Sequence, residues 1–177
     1  MVKKLLLFLA YFMFFILALI YFAPKESIYF ALENTMKPQG FILSEEKLED
    51  KGFALNIEEA KLSIKSIDSA DIKNIKVRTF GLYNSISCSD IELSKVYQSF
   101  LPLHVDSINV VYSVINPLNV KIYAQGEFGV SESTFNLSDS VLHVELKPSD
   151  VMLHKYKQSL REYTKNENGE FIYDKTF

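Results

Sequence analysis

The stretch INVVYSVINPLNVKIYA, residues 108–124, decides the fold. Apolar side chains alternate with mostly polar ones on both sides of a turn at Asn116 and Pro117. Period two is typical of strands with one buried face, because neighbouring side chains of a strand point to opposite sides. Asn and Pro are residues that favour turns. The stretch therefore predicts a β-hairpin with one apolar face.

The same alternation continues over residues 41–147 and predicts about nine or ten short strands, separated by Gly, Asn, Asp and Ser. The predicted fold class is mainly β: a single long antiparallel sheet, twisted or curved, with one apolar and one wet face. Residues 94–101 predict one helical turn. Near the C-terminus, a helix over about residues 150–163 begins at Ser149 or Asp150, and a last strand covers residues 171–177.

The N-terminus predicts a membrane anchor. Lys3 and Lys4 precede an uncharged apolar run over residues 5–23. As a helix this run would be roughly 28 Å long, which matches the hydrocarbon thickness of a bilayer. A basic flank stays in the cytoplasm, so residues 1–23 are expected to be the cytoplasmic start and transmembrane segment of a single-pass protein.

Two other interpretations of this segment are a cleaved signal peptide and a buried core helix. A cleaved signal peptide usually has a shorter apolar region and a small-x-small cleavage site. This run instead contains many Phe residues and ends in YFAP, residues 21–24. A buried core helix is disfavoured because the run has no polar stripe.

Residues 24–40 predict a short juxtamembrane helix with Pro24 or Ser27 near its start, closed by Pro38 and Gly40. This helix either rests on the membrane surface or caps the β domain, and capping is slightly favoured. The β domain is expected over residues 41–177.

Composition and charge restrict the possible partners. The formal charge is −3, and removal of Lys3 and Lys4 leaves −5 on the exported part. This acidic balance, without a long basic block, disfavours nucleic-acid binding and flat adhesion to anionic lipid. Cys88 is the only cysteine and has no partner for an intramolecular disulfide. Its alternating surroundings predict a small buried residue on a strand.

The pattern does not predict an enzyme or a cofactor. His104, His143 and His154 lie far apart in the sequence and lack metal-ligand spacing. Adjacent carboxylates such as Glu58 and Glu59 would point to opposite faces of a strand. No nucleophile elbow, phosphate loop or dinucleotide fingerprint is present in the sequence.

Alternation also identifies a candidate apolar groove or contact face on the central hairpin. Its residues are Ile108, Val110, Tyr112, Val114, Val120 and Ile122. The alternative is that the same side chains form an ordinary core under a second layer.

Several stretches resemble the general secretion pathway protein N family, a bitopic inner-membrane component linked with type II secretion. The stretches are PKESIYFALE (24–33), ILSEE (42–46), VYSVINPL (111–118), AQGEFG (124–129) and NGEFIY (168–173). That family is similar in turn to AsmA-like periplasmic proteins, whose curved sheets offer an apolar groove. The resemblance spans most of the chain and carries no catalytic signature.

The resemblance implies a single-pass inner-membrane protein with its N-terminus in the cytoplasm and its β domain in the periplasm. The function that it favours is a non-catalytic interaction or assembly component of a type II secretion-like apparatus, bound to protein partners of the envelope by strand addition or groove packing. The alternative is AsmA-like binding or transport of lipid, or another amphipath, along the concave face of the sheet.

Overall fold

One antiparallel sheet of eleven strands forms the body of the protein. The computed structural model describes residues 2–177. The strands are β1 (Phe41–Ser44), β2 (Lys47–Asp50), β3 (Leu55–Ile64), β4 (Ile67–Thr79), β5 (Tyr83–Leu93), β6 (His104–Ser113), β7 (Asn119–Gly126), β8 (Gly129–Asn136), β9 (Val141–Pro148), β10 (Thr164–Lys165) and β11 (Phe171–Thr176). Their order is β1-β3-β4-β5-β6-β7-β8-β9-β11-β10, and β2 pairs with β3 beside β1. The predicted fold class is confirmed.

The register between strands collects the apolar side chains on one face, which we call the apolar face. Ile108 of β6 pairs with Cys88 of β5 and Ala124 of β7. Val110 pairs in the same way with Ile86 and Ile122. Residues paired across antiparallel strands point to the same side, so each such row continues from strand to strand.

Four consecutive strands contain an irregularity that keeps this face continuous. In each, two polar residues, instead of one, separate neighbouring apolar residues of the face. The pairs are residues 58–59 in β3, 73–74 in β4, 89–90 in β5 and 106–107 in β6. Glu59 and Asp90 adopt positive φ angles of 57° and 53°, as residues of β-bulges can. The four bulges lie side by side across the sheet and form a row of bulges. Because all four strands shift their alternation at this row, the apolar side chains on its proximal and distal sides remain on the same face.

The meander divides its turns between the two ends of the sheet. The turns after β2, β4, β6 and β8 lie at one end, which we call the proximal end. The turns after β3, β5, β7 and β9 lie at the other, the distal end. A tight turn at Glu127 and Phe128 joins β7 to β8, and Gly126 pairs with Gly129 across it.

Two buried clusters hold the sheet together. The first contains Tyr29, Leu55, Ile57, Ala60, Ala70, Ile72, Ile75, Ile91 and Val105. The second contains Leu146, Met152, Tyr156 and Leu160 at the distal end. Phe128 packs against both clusters and links them.

Helix α2 (Lys25–Met36) packs against the β1–β2 side of the sheet. Its Tyr29 is buried in the first cluster and donates a hydrogen bond to Glu46 Oε1 at 3.3 Å. Burial, followed by the charges of Glu46 and Glu33, raises the pKa of the Tyr29 hydroxyl well above its usual range. A 3-10 turn over Lys37–Gln39 then leads to Gly40, whose φ of 88° ends the segment.

Helix α3 (Asp150–Lys155) is shorter than the predicted helix over residues 150–163. Ser149 caps it by accepting a hydrogen bond from the Met152 N–H at 3.2 Å. Tyr156, with φ −118° and ψ 26°, leaves the helical conformation, and a 3-10 turn follows over Lys157–Leu160. This break lets Met152, Tyr156 and Leu160 all reach the second cluster. The other predicted helical turn is present as a 3-10 turn over Lys95–Tyr97.

Helix α1 (Val2–Phe22) precedes the domain. Residues Lys3–Phe22 have a mean hydropathy of 2.7, and this part of the helix is not buried against the rest of the protein. The chain therefore has an N-terminal helix long and apolar enough to span a membrane.

Ile57→Ala tests the first cluster, because Ile57 is 1% exposed. We expect the free energy of unfolding to fall by about 2–5 kcal/mol, from the lost transfer energy and the cavity left behind. Urea denaturation of the full chain in detergent measures the change. The matched control is Ile115→Ala, at a residue 94% exposed in a turn, with an expected effect within about 0.5 kcal/mol. Equal losses in the two variants would contradict the assignment of the core.

Candidate binding face of the sheet

The structure brings five of the six predicted face residues together. Ile108, Val110 and Tyr112 of β6 lie beside Val120 and Ile122 of β7 on the apolar face. The sixth, Val114, lies just beyond β6 in the turn to β7 and is exposed. Its N–H donates to the Leu82 carbonyl at 3.0 Å, so it belongs to the proximal end rather than to the centre of the face.

Neighbouring strands add apolar side chains to this face beyond the six predicted residues. Val110 lies between Ile86 and Ile122, and Val120 is followed by Phe135 and then by Leu142. These residues also alternate in the sequence. Their membership of this face depends on the register between strands, which alternation within a single strand does not give.

The centre of the apolar face lies between the two clusters. Within residues 2–177, neither cluster nor the side chains packed against it includes Val110, Tyr112, Val120 or Ile122. These four side chains are half-buried, and Ile86 is 37% exposed although its neighbours are apolar. On the apolar face, helix α2 covers the β1–β2 edge of the sheet and α3 covers the distal part near β9. The face therefore presents an apolar surface between them.

Two further side chains, those of Cys88 and Asn84, lie on the apolar face. Burial raises the pKa of the Cys88 thiol, so that it is a neutral apolar group on the face at neutral pH. Asn84, which pairs with Tyr112, donates from Nδ2 to the Gly81 carbonyl at 3.3 Å. Its Oδ1 is buried and accepts no hydrogen bond from the described residues. The face thus combines an extended apolar area with the amide of Asn84 near its proximal end and the hydroxyls of Ser131 and Ser133 on β8.

The opposite face is polar and its charges are largely paired. A shallow open depression of about 540 Å³ lies over the row of bulges and is lined by Glu45, Glu59, Asp71, Asp90, Glu92 and several partners. Lys61 pairs with Glu45 at 2.7 Å, and Lys73 with Asp90 at 3.6 Å. Because Glu45, Glu59 and Asp90 already have lysine partners, the depression has the character of a solvated ion-pair surface.

The histidines lie on this polar side or at the surface. His104 Nδ1 is 2.6 Å from Glu92, and His143 Nδ1 is 2.6 Å from Asp174. His154 Nδ1 lies 2.8 Å from the Asp150 carbonyl oxygen. Across the described residues, no group of three or more His, Cys, Asp and Glu side chains is placed to hold a metal ion.

Comparison with protein-family models, curated proteins and solved structures finds no match for this chain. The relation to the general secretion pathway protein N family therefore stays a prediction. The arrangement of the face is the remaining guide to function.

The histidine pairs predict a pH dependence of stability. Hydrogen bonds to Asp174 and Glu92 raise the pKa values of His143 and His104, respectively, above the usual value of about 6.5. A raised folded-state pKa adds stability that is fully present below the unfolded pKa and is lost as pH rises through the folded pKa. We therefore expect the midpoint of thermal unfolding to fall from pH 6.5 upward through the raised pKa values.

The change is measured by thermal unfolding of the full chain in detergent between pH 6 and 9. In the double variant His104→Asn, His143→Asn, the slope of the unfolding midpoint against pH should be mostly lost. His154→Asn is the control and should keep it, because His154 faces a carbonyl oxygen rather than a carboxylate. A slope unchanged in the double variant would show that other groups cause it.

Proposed function

We propose that the protein is a non-catalytic binding protein tethered to a membrane by α1, and that its apolar face binds the acyl chains of a lipid or another amphipath. The observation that carries the proposal is the apolar surface between the two clusters. In an aqueous compartment such a surface favours an apolar ligand or partner that removes it from water.

Two features favour an amphipath over a protein partner. The face is a broad strip of Ile, Val, Tyr and Phe side chains with the two small polar residues Ser131 and Ser133 beside it on β8. Such a strip suits acyl chains better than a surface that must recognise a particular peptide. The strip also extends towards the proximal end, where α1 meets the domain.

Photo-cross-linking tests this proposal. The full chain is expressed in cells fed a fatty acid with a diazirine in its acyl chain, irradiated, and analysed by peptide mass spectrometry. We expect cross-links to β5–β8 as well as to α1, because α1 contacts lipid in any case. Cross-links confined to residues 2–22 would contradict the proposal.

Two variants of one strand sharpen the experiment. Ile122→Ser makes the apolar face more polar and should reduce cross-linking to β5–β8 several-fold. Tyr123→Ser removes a partly exposed side chain from the opposite face and should leave this yield unchanged. Circular dichroism verifies that both variants keep the sheet.

A second candidate is docking within a type II secretion-like apparatus in the inner membrane, as the family resemblance implies. One observation favours it. Strand β10 pairs with β11 only through Thr164 and Lys165. The outer edge of β11 from Tyr173 to Thr176 has no partner strand among the described residues, and it is open to strand addition from another protein.

Site-specific photo-cross-linking separates this candidate from lipid binding. A photoreactive amino acid replaces Thr176 on the open edge or, as the control, Thr134 on the polar face of the central strand β8. We expect a cross-link to a secretion subunit from position 176 and not from position 134. Equal labelling from both positions, or none from either, would contradict docking at this edge.

A further inference from the structure

The proximal end of the sheet carries exposed apolar side chains in every turn. We call this group the apolar rim. Its principal members are Phe53, Leu82, Ile115, Leu118, Leu137 and Phe177. Leu82 is 72% exposed, Ile115 94% and Phe177 71%. Exposed apolar residues are common singly, but a row of them at one end of a domain indicates a binding surface.

Backbone hydrogen bonds join these turns into one surface. The Val114 N–H donates to the Leu82 carbonyl at 3.0 Å, and the Leu137 N–H to the Leu118 carbonyl at 2.8 Å. Phe177 is held by a further bond from its N–H to the Ser140 carbonyl at 3.0 Å. The rim is therefore a continuous edge of the folded sheet.

The end of α1 lies against the same edge through a chain of aromatic contacts. The Tyr21 ring meets Phe53 edge-on, with centroids 5.2 Å apart, and Phe53 stacks on Phe80 at 6.0 Å. Gly52 makes this approach possible. A Cβ at Gly52 would lie 2.2 Å from the Tyr21 ring, and its φ of 77° also favours glycine.

A buried lysine fixes the junction between the helix and the sheet. Lys25 is 6% exposed, and its Nζ donates to the Tyr21 and Ala23 carbonyls at 3.1 and 3.2 Å. The same Nζ is 3.4 Å from Asp50 Oδ1 at the end of β2. A cation that binds the last carbonyls of a helix stabilises its C-terminus, and Asp50 ties that cation to the sheet.

The distal end differs in composition. Its short turns consist of Lys65 and Ser66, Glu127 and Phe128, and residues 166–169, which are Asn, Glu, Asn and Gly. Val96 and Phe100 are exposed in the longer loop after β5, beside Lys95. Exposed apolar side chains thus occur in every turn at the proximal end. At the distal end they lie beside charged residues: Ile67 next to the β3–β4 turn, Val96 and Phe100 in the loop after β5, and Val151 and Leu153 on α3.

From this geometry we infer that the apolar rim inserts into the surface of the lipid bilayer that α1 spans. The sheet would then stand on the membrane with its proximal turns in contact with lipid. The occupant is lipid because the rim continues from the end of α1, which contacts Phe53 directly. The proximal turns carry one cationic side chain, Lys51, and one anionic side chain, Asp139, so their charges cancel and the contact should depend little on anionic lipid. This inference rests on the proposed membrane anchor α1, but it does not depend on what the apolar face binds.

Lipid quenching of a fluorescent label tests the inference. The full chain with Cys88→Ser is given a single new cysteine by Ile115→Cys, labelled with NBD, and reconstituted in phosphatidylcholine vesicles. We expect blue-shifted emission and at least a twofold loss of intensity when brominated acyl chains are present. Addition of phosphatidylserine should change this loss little.

The control is Phe100→Cys in the same Cys88→Ser background, because Phe100 is exposed at the distal end. Its label should emit as in water and be quenched by less than a fifth. Equal quenching at both positions would mean that the sheet lies flat on the membrane, and no quenching at position 115 would mean that the rim stays in water. Either result would overturn the inference. Thermal unfolding verifies that both labelled proteins are folded.

Discussion

Antiparallel register is the constraint on which the rest of the structure depends. It places paired residues on the same side, so that a few apolar positions in each strand add up to one face across the sheet. It also sends alternate turns to opposite ends. The apolar face and the apolar rim are therefore two consequences of one meander, and a strand shifted by one residue would turn its apolar side chains away from the face.

The row of bulges shows how strictly the register is kept. A single bulge would turn the rest of its own strand over and place Ile91, for example, among polar residues. Here β3, β4, β5 and β6 shift at the same level, and Ile91 still pairs with Ile72 and Val105. On the polar face, the extra residues supply Glu59, Lys73 and Asp90, which form ion pairs above the row. The first cluster consequently extends past the irregularity towards the distal end.

Sequence patterning predicted the parts of the fold that depend on local alternation. The N-terminal helix, the antiparallel sheet and the Ser149 cap follow from residues close together in the chain. Alternation also grouped Ile108, Val110 and Tyr112 with Val120 and Ile122, because one short turn separates their strands. The aligned bulges and the contribution of Ile86 depend on pairing between strands, which the pattern within one strand does not contain.

The junction at Lys25 could not be predicted for a related reason. Lys25 and Asp50 are ordinary charged residues in the sequence, and only the fold brings them together at 3.4 Å. The shortened helix α3 also reflects tertiary structure, because the chain leaves helical geometry at Tyr156, which is buried in the second cluster. In both cases the deciding interaction joins residues whose proximity local propensity does not encode.

The relation between the face and the rim gives the two proposals a common physical basis. Phe135 lies on the apolar face, and its ring meets the exposed Phe177 at 6.1 Å in an edge-to-face contact. The apolar surface therefore continues from the centre of the sheet to its proximal edge. If that edge lies in the bilayer, an acyl chain can move onto the face while its apolar surroundings are preserved. A rim in water would instead require the chain to cross an aqueous gap, at a cost of about 0.8 kcal/mol for each exposed methylene. The same face is therefore a more plausible lipid site when the sheet stands on the membrane than when it extends away from it.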